Sequence, residues 1–199
     1  MVGYTNINIG VNALSQKHIG DYIVNTCTLY IKPVEYGNKL YSHIGEVDEE
    51  ILCPVKPIAL IQRGCAYYGV DFESRRKGTR LLIDYSRKLP IIVEPINHIF
   101  AFCTTSPGNP MGIWFFYEQI RDYKRISARE TLVIFHNGQS FLFPVSYNTF
   151  NTQMLRTSLL KSKFMQRVDY NQKKLFYLLN RPKPSKASES NEFYSEDSK

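Results

Sequence analysis

The hydrophobic period of this chain changes at Tyr147, and few folds accommodate that change. Upstream, apolar residues come in short alternating runs; downstream they recur at the spacing of an α-helix. Tyr22–Lys32 (YIVNTCTLYIK) alternates and is rich in β-branched residues, which predicts a strand, with Val34–Gly45 as its returning partner. Val55–Gln62, following Pro54 and containing Pro57, reads as a short buried strand. Arg80–Tyr85, Ile91–Glu94, Ile99–Thr104, Trp114–Tyr117 and Gln119–Ile126 read as further strands. Leu132–Phe135 and Ser140–Phe143 flank His136-Asn137-Gly138-Gln139. Asn-Gly accepts positive φ at both turn positions, so a tight hairpin is predicted there.

From Tyr147 to about Val168 the spacing predicts a helix, with Ser146 or Asn148 as its N-cap. Tyr147, Phe150, Met154, Leu160, Phe164, Met165 and Val168 share one arc, with Lys161 intruding. Arg156, Lys163 and Arg167 form an adjoining stripe. Leu155 and Leu159 lie opposite the arc, either under a loop or as a contact surface for another subunit. Strands followed by one long helix predict an α+β domain: a mainly antiparallel β-sheet, barrel-like in one variant, with the long C-terminal helix packed on it. Residues 1–180 are expected to form this single domain. Arg181–Lys199 is poor in aliphatics and rich in Ser, Lys, Glu and Pro, which predicts a disordered tail. Leu175, Phe176, Tyr177, Leu178 and Leu179 make an apolar island just before it.

Charge narrows the function. The chain carries 25 Lys and Arg against 18 Asp and Glu, a net charge of +7. Residues 1–60 hold 4 basic and 6 acidic side chains, whereas residues 61–180 hold 17 basic and 8 acidic. A strongly basic body points to a polyanion partner. No apolar run approaches the roughly 18 residues of a membrane span. Met1–Gly20 lacks a basic stretch followed by an apolar one, so no secretory signal is read. The expectation is a soluble cytoplasmic protein with no membrane partner. Cys27, Cys53, Cys65 and Cys103 show no C-x-x-C spacing, so they are expected to be free thiols rather than metal ligands. The phosphate-binding, dinucleotide, zinc-protease and nucleophile-elbow motifs are missing, which argues against an enzyme and gives no cofactor.

The densest basic constellation is Arg63–Arg80 (RGCAYYGVDFESRRKGTR). Gly69 and Gly78 are read as backbone turns that place Arg75, Arg76 and Lys77 on an exposed loop, with Arg80 beside them and Arg87 nearby. Tyr67 and Tyr68 are expected in the core. Arginines on such a loop can meet phosphates or enter a narrow A/T-rich minor groove. A second basic set is Arg121, Lys124, Arg125 and Arg129, and the helical stripe Arg156, Lys163 and Arg167 is the third. No helix-turn-helix is read, because the region before the long helix looks like strands. The competing reading is a protein–protein module, its basic surface facing an acidic partner and Leu155, Leu159 or Leu175–Leu179 supplying apolar anchors.

Residues 61–79 resemble the signature of the ComK family, competence transcription factors of low-GC Gram-positive bacteria, at Arg63, Cys65, Tyr67, Tyr68, Gly69, Phe72, Arg75, Gly78 and Thr79. The likeness continues through Lys88–Pro95, Ile99-Phe100, Phe135–Gly138, Pro144–Phe150, Arg156-Thr157 and Lys163-Phe164. The resemblance implies a homo-oligomeric activator of DNA-uptake genes that binds double-stranded DNA at paired A/T-rich boxes through the minor groove. It also implies control by a MecA-like adaptor and a Clp protease, with Leu175–Leu179 loosely similar to the adaptor-binding segment. Residues 1–25 carry no such likeness. Arg75, Arg76, Lys77 and Arg80 are the expected main DNA contacts, with Arg156, Lys163 and Arg167 next.

Overall fold

In the computed structural model, which describes residues 16–181, the strand pattern resolves into two separate sheets. β1 (Gln16–His18), β2 (Thr28–Tyr36), β3 (Lys39–Glu46), β4 (Glu50–Cys53), β5 (Ile91–Glu94), β6 (Ile99–Cys103) and β7 (Trp114–Phe116) form the larger, in the order β1-β4-β3-β2-β7-β6-β5. Only the β1–β4 pairing is parallel. β8 (Ile120–Arg125), β9 (Thr131–Phe135) and β10 (Ser140–Phe143) form the smaller sheet, antiparallel throughout. Both sheets are open, so the barrel-like variant is not realised. Of the described residues, those up to Phe164 belong to one compact unit and those from Met165 to a second.

Two expected strands are helices. α1 (Pro57–Tyr67) replaces the strand read at Val55–Gln62, and α2 (Phe72–Ile83) takes up most of the one read at Arg80–Tyr85. The reason is visible in the residues. Pro57 occupies the first helical position, where its fixed φ is an advantage and its missing N–H costs nothing. Leu60, Ile61, Gly64 and Cys65 then recur at helical spacing and are buried. Asp71 caps α2 by accepting a hydrogen bond from the Ser74 N–H at 3.0 Å. The turn between the helices needs Gly69, whose φ is +83°.

These helices cover one face of the large sheet. Leu60, Ile61, Cys65 and Phe72 pack on Ile31, Ile44, Ile91, Val93, Ala101 and Trp114. The opposite face carries Leu29, Tyr30, Phe102 and Phe115, which meet Val133, Phe135 and Phe143 of the small sheet. Alternation along β5–β7 makes this division: positions 91, 93, 99, 101 and 114 face the helices, and 102 and 115 face away.

α3 (Tyr147–Asn180) is the expected long helix, and it extends well beyond Val168. Ser146 is its N-cap, its Oγ accepting from the Thr149 N–H at 3.3 Å. Phe150 enters the aromatic core between the sheets, against Phe102 and Phe115. The buried residues of α3 are Phe150, Gln153, Thr157 and Leu160. Two of these are polar, which the apolar arc did not include. Gln153 Nε2 donates to the Cys103 carbonyl at 2.6 Å, and Thr157 Oγ1 donates back to the Gln153 carbonyl at 2.7 Å. The bond satisfies the buried amide nitrogen, while the buried Gln153 Oε1 has no hydrogen-bond partner among the described residues. The predicted hairpin forms, but only Gly138 takes positive φ, at +87°. The Phe135 N–H donates to the Gln139 carbonyl, so the loop has three residues and ends on a left-handed glycine instead of the tighter two-residue turn.

Candidate nucleic-acid interface

α2 places the main basic cluster on a rigid element, not on the loop expected. Phe72, Thr79 and Ile83 are its buried residues, and they fix which way every other side chain points. Gly78 is helical and makes no turn. The four expected DNA contacts on α2 then separate by environment. Lys77 and Arg80 are exposed and have no ion-pair partner among the described residues. Arg76 is half-buried, pairs with Glu73 at 2.9 Å and lies over the Phe72 ring. Arg75 is half-buried, with its Nε buried and unbonded, and its charge reaches toward the Cys65 thiol. Burial nevertheless dominates at Cys65 and pushes that thiol up to about 11, so it stays protonated and unreactive. Lys77 and Arg80 are therefore the cations best placed to meet an external phosphate.

The region directly before α3 is strands β8–β10, as expected, while α1 and α2 are joined by the four residues Tyr68–Asp71. The tyrosines at this turn also part company. Tyr68 packs against the core and its hydroxyl donates to the Val24 carbonyl at 3.2 Å, whereas Tyr67 is exposed. That overturns the expectation of a buried Tyr67: the last turn of α1 rotates it away from the sheet.

The end of α2 meets α3. Ile83 shares a small core with Ile92, Phe100 and Leu160, flanked by Leu82 and Phe164. Beside it, Arg156 Nη1 donates to the Arg87 carbonyl at 2.9 Å, and the guanidinium sits 4.4 Å from the centre of the Tyr85 ring. Arg156 therefore acts as a clamp on the 84–90 segment, just beyond the end of α2. Its Nε is buried and its head is engaged. The residue it holds in place, Arg87, is itself exposed. Lys163 is exposed with no ion pair among the described residues, and Arg167 is exposed in the second unit.

The second basic set is partly committed to structure. Arg125 Nη2 donates to Asn148 Oδ1 at 2.9 Å and its guanidinium lies over the Tyr147 ring, tying β8 to the first turn of α3. Lys124 is loosely paired with Asp122 at 4.0 Å, and Arg121 and Arg129 are exposed. Leu155 and Leu159 remain on the exposed side of α3, at 63% and 37% of their surface. Leu175–Leu179 are exposed within the second unit. The tail expected to be disordered lies, beyond Arg181, outside the described residues.

Sequence reasoning missed Leu81 and Tyr85 at this surface. A helical wheel starting from the Asp71 cap would have set Leu81 opposite Phe72 and Ile83.

A family model described as ComK protein matches residues 19–169. The Competence transcription factor of Bacillus subtilis (strain 168) is 34% identical over 160 residues, spanning 79% of this chain and 83% of that relative. No solved structure matches.

Proposed function

The chain belongs to the ComK family, and on that premise we propose that it is a transcriptional activator of competence genes that binds A/T-rich boxes in double-stranded DNA through the minor groove. The observation that carries this reading is the outward face of α2. Lys77 and Arg80 stand exposed and unpaired among the described residues on a helix held from behind by Phe72, Thr79 and Ile83. Charges fixed on a helix lose less entropy on meeting phosphates than charges on a free loop. On this reading the exposed Arg87, whose carbonyl Arg156 holds, and the exposed Lys163 of α3 would be further phosphate contacts.

Leu155 and Leu159 are the surface by which copies would associate as a homo-oligomer. Leu175, Phe176, Tyr177, Leu178 and Leu179 would dock an adaptor that feeds a Clp-type protease. Action would take place in the cytoplasm, on the nucleoid. Among the described residues no helix is long and apolar enough to cross a membrane.

Binding to fluorescent A/T-box and G/C-substituted duplexes tests the reading. Tighter binding to the A/T duplex is expected, lost when an A/T minor-groove ligand such as distamycin is added and kept when the major groove is methylated. Equal affinity for both duplexes, or loss on major-groove methylation, would refute the minor-groove mode.

A further inference from the structure

Leu81 projects from the basic face of α2 with 81% of its surface exposed. At about 100° per residue it lies opposite Phe72, Thr79 and Ile83, which seat the helix. Lys77 stands one turn before it and Gly78 beside it. Arg80 lies exposed about 100° round on one side, whereas Arg75 and Arg76 are half-buried toward the seated side of the helix. Glu73 and Asp84 lie toward its ends, and Glu73 is neutralised by Arg76. Single exposed leucines are ordinary on protein surfaces. A leucine one turn from an exposed cation with no ion pair among the described residues, Lys77, on a helix that also exposes Arg80, is less so, because the partner that such cations attract is strongly charged.

Gly78 is the second observation. It sits in the interior of α2, where glycine weakens a helix. Neither of the usual reasons applies: its φ is not positive, and an added Cβ would meet nothing within 4 Å. The helix is left bare beside Leu81 with no internal cause.

We propose that Leu81 is an apolar wedge that enters the minor groove of double-stranded DNA and partly unstacks a base step, with Lys77 and Arg80 on the flanking phosphates and Gly78 letting the helix backbone approach. The proposal rests on the DNA-binding reading above and adds to it an uncharged contact residue. For α2 to lie against the minor groove, the groove must open. A minor groove about 6 Å wide cannot admit a helix about 10–12 Å across. Apolar side chains inserted between base pairs kink the duplex toward the major groove and open the minor groove. TA steps, flexible and frequent in A/T-rich DNA, yield most readily.

The test uses the full chain and an A/T-rich duplex carrying 2-aminopurine at a TA step. Wild-type binding should raise the 2-aminopurine fluorescence, which reports unstacking. Leu81→Ala should abolish that rise and weaken binding at least about tenfold. It should leave the thermal midpoint and the salt dependence unchanged, since no phosphate contact is removed. Gly78→Ala should raise the thermal midpoint yet weaken binding. Retention of both affinity and fluorescence by Leu81→Ala would overturn the wedge, as would wild-type binding without unstacking, while leaving DNA binding intact. Absence of any salt-dependent DNA binding by the wild type would overturn both readings.

Discussion

Arg156 separates a structural role from a DNA-contacting one, and the two predict different numbers. Its Nη1 bonds the Arg87 carbonyl at 2.9 Å and its guanidinium lies 4.4 Å from the Tyr85 ring centre. Arg156→Ala removes both contacts. The hydrogen bond is worth about 1 kcal/mol, and the cation over a partly exposed ring about 0.5–1 kcal/mol. A loss of roughly 1–2 kcal/mol should lower the thermal midpoint by roughly 3–6 °C for a unit of this size. Arg156→Lys keeps the charge but not the planar fork, so it should not restore the midpoint. DNA affinity should fall as the 84–90 segment loosens. The slope of log affinity against log salt should hold, because no phosphate contact is removed. Differential scanning fluorimetry with anisotropy titrations at several salt concentrations gives both quantities. An unchanged midpoint together with a slope shallower by about 0.9 would make Arg156 a phosphate ligand and refute the clamp.

Gly45→Ala should destabilise the fold by about 1–3 kcal/mol in chemical unfolding, because the new Cβ would sit 2.3 Å from the buried Tyr30 ring; wild-type stability would contradict that packing. Acid should weaken the fold through Glu50, whose carboxyl is held below its ordinary value first by the His43 hydrogen bond at 3.2 Å and also by the charges of His43 and Lys32, against a smaller opposing effect of burial. A depressed carboxyl stabilises the fold at pH above its unfolded value, near 4.5, and loses that contribution as pH falls through the lower folded value. Glu50→Gln should therefore flatten this part of the acid limb in pH-dependent unfolding, and an identical acid limb would exclude the interaction.

Most strands were legible where a period-two pattern and its breakers mark them, but the short β1 and β4 were not read, and the strand expected from Tyr22 begins only at Thr28. Ile91–Glu94, Ile99–Cys103 and the Gly138 hairpin all fall where that pattern puts them. α1 and α2 were not, although both carry start signals. Val55–Gln62 is a short apolar run, for which alternation and helical spacing are hard to tell apart. Pro57 and the 60-61-64-65 spacing favour the helix. In α2 the charges mask the period: only Phe72, Thr79 and Ile83 are buried, and Thr79 does not register as apolar. The Asp71 cap is the stronger cue. The basic cluster itself was readable as composition, but its sorting was not. Whether an arginine faces water or grips a neighbour depends on contacts distant in sequence, as Arg156 with Arg87 illustrates.

The most direct measurement is the salt dependence of binding to an A/T-box duplex for the wild type and for Lys77→Ala/Arg80→Ala. If these two side chains neutralise phosphates, the double variant should bind more weakly and its log–log slope should be shallower by about 1.8, two phosphates' worth of released counterions. A double variant with the wild-type slope and affinity would show that the duplex does not lie against α2.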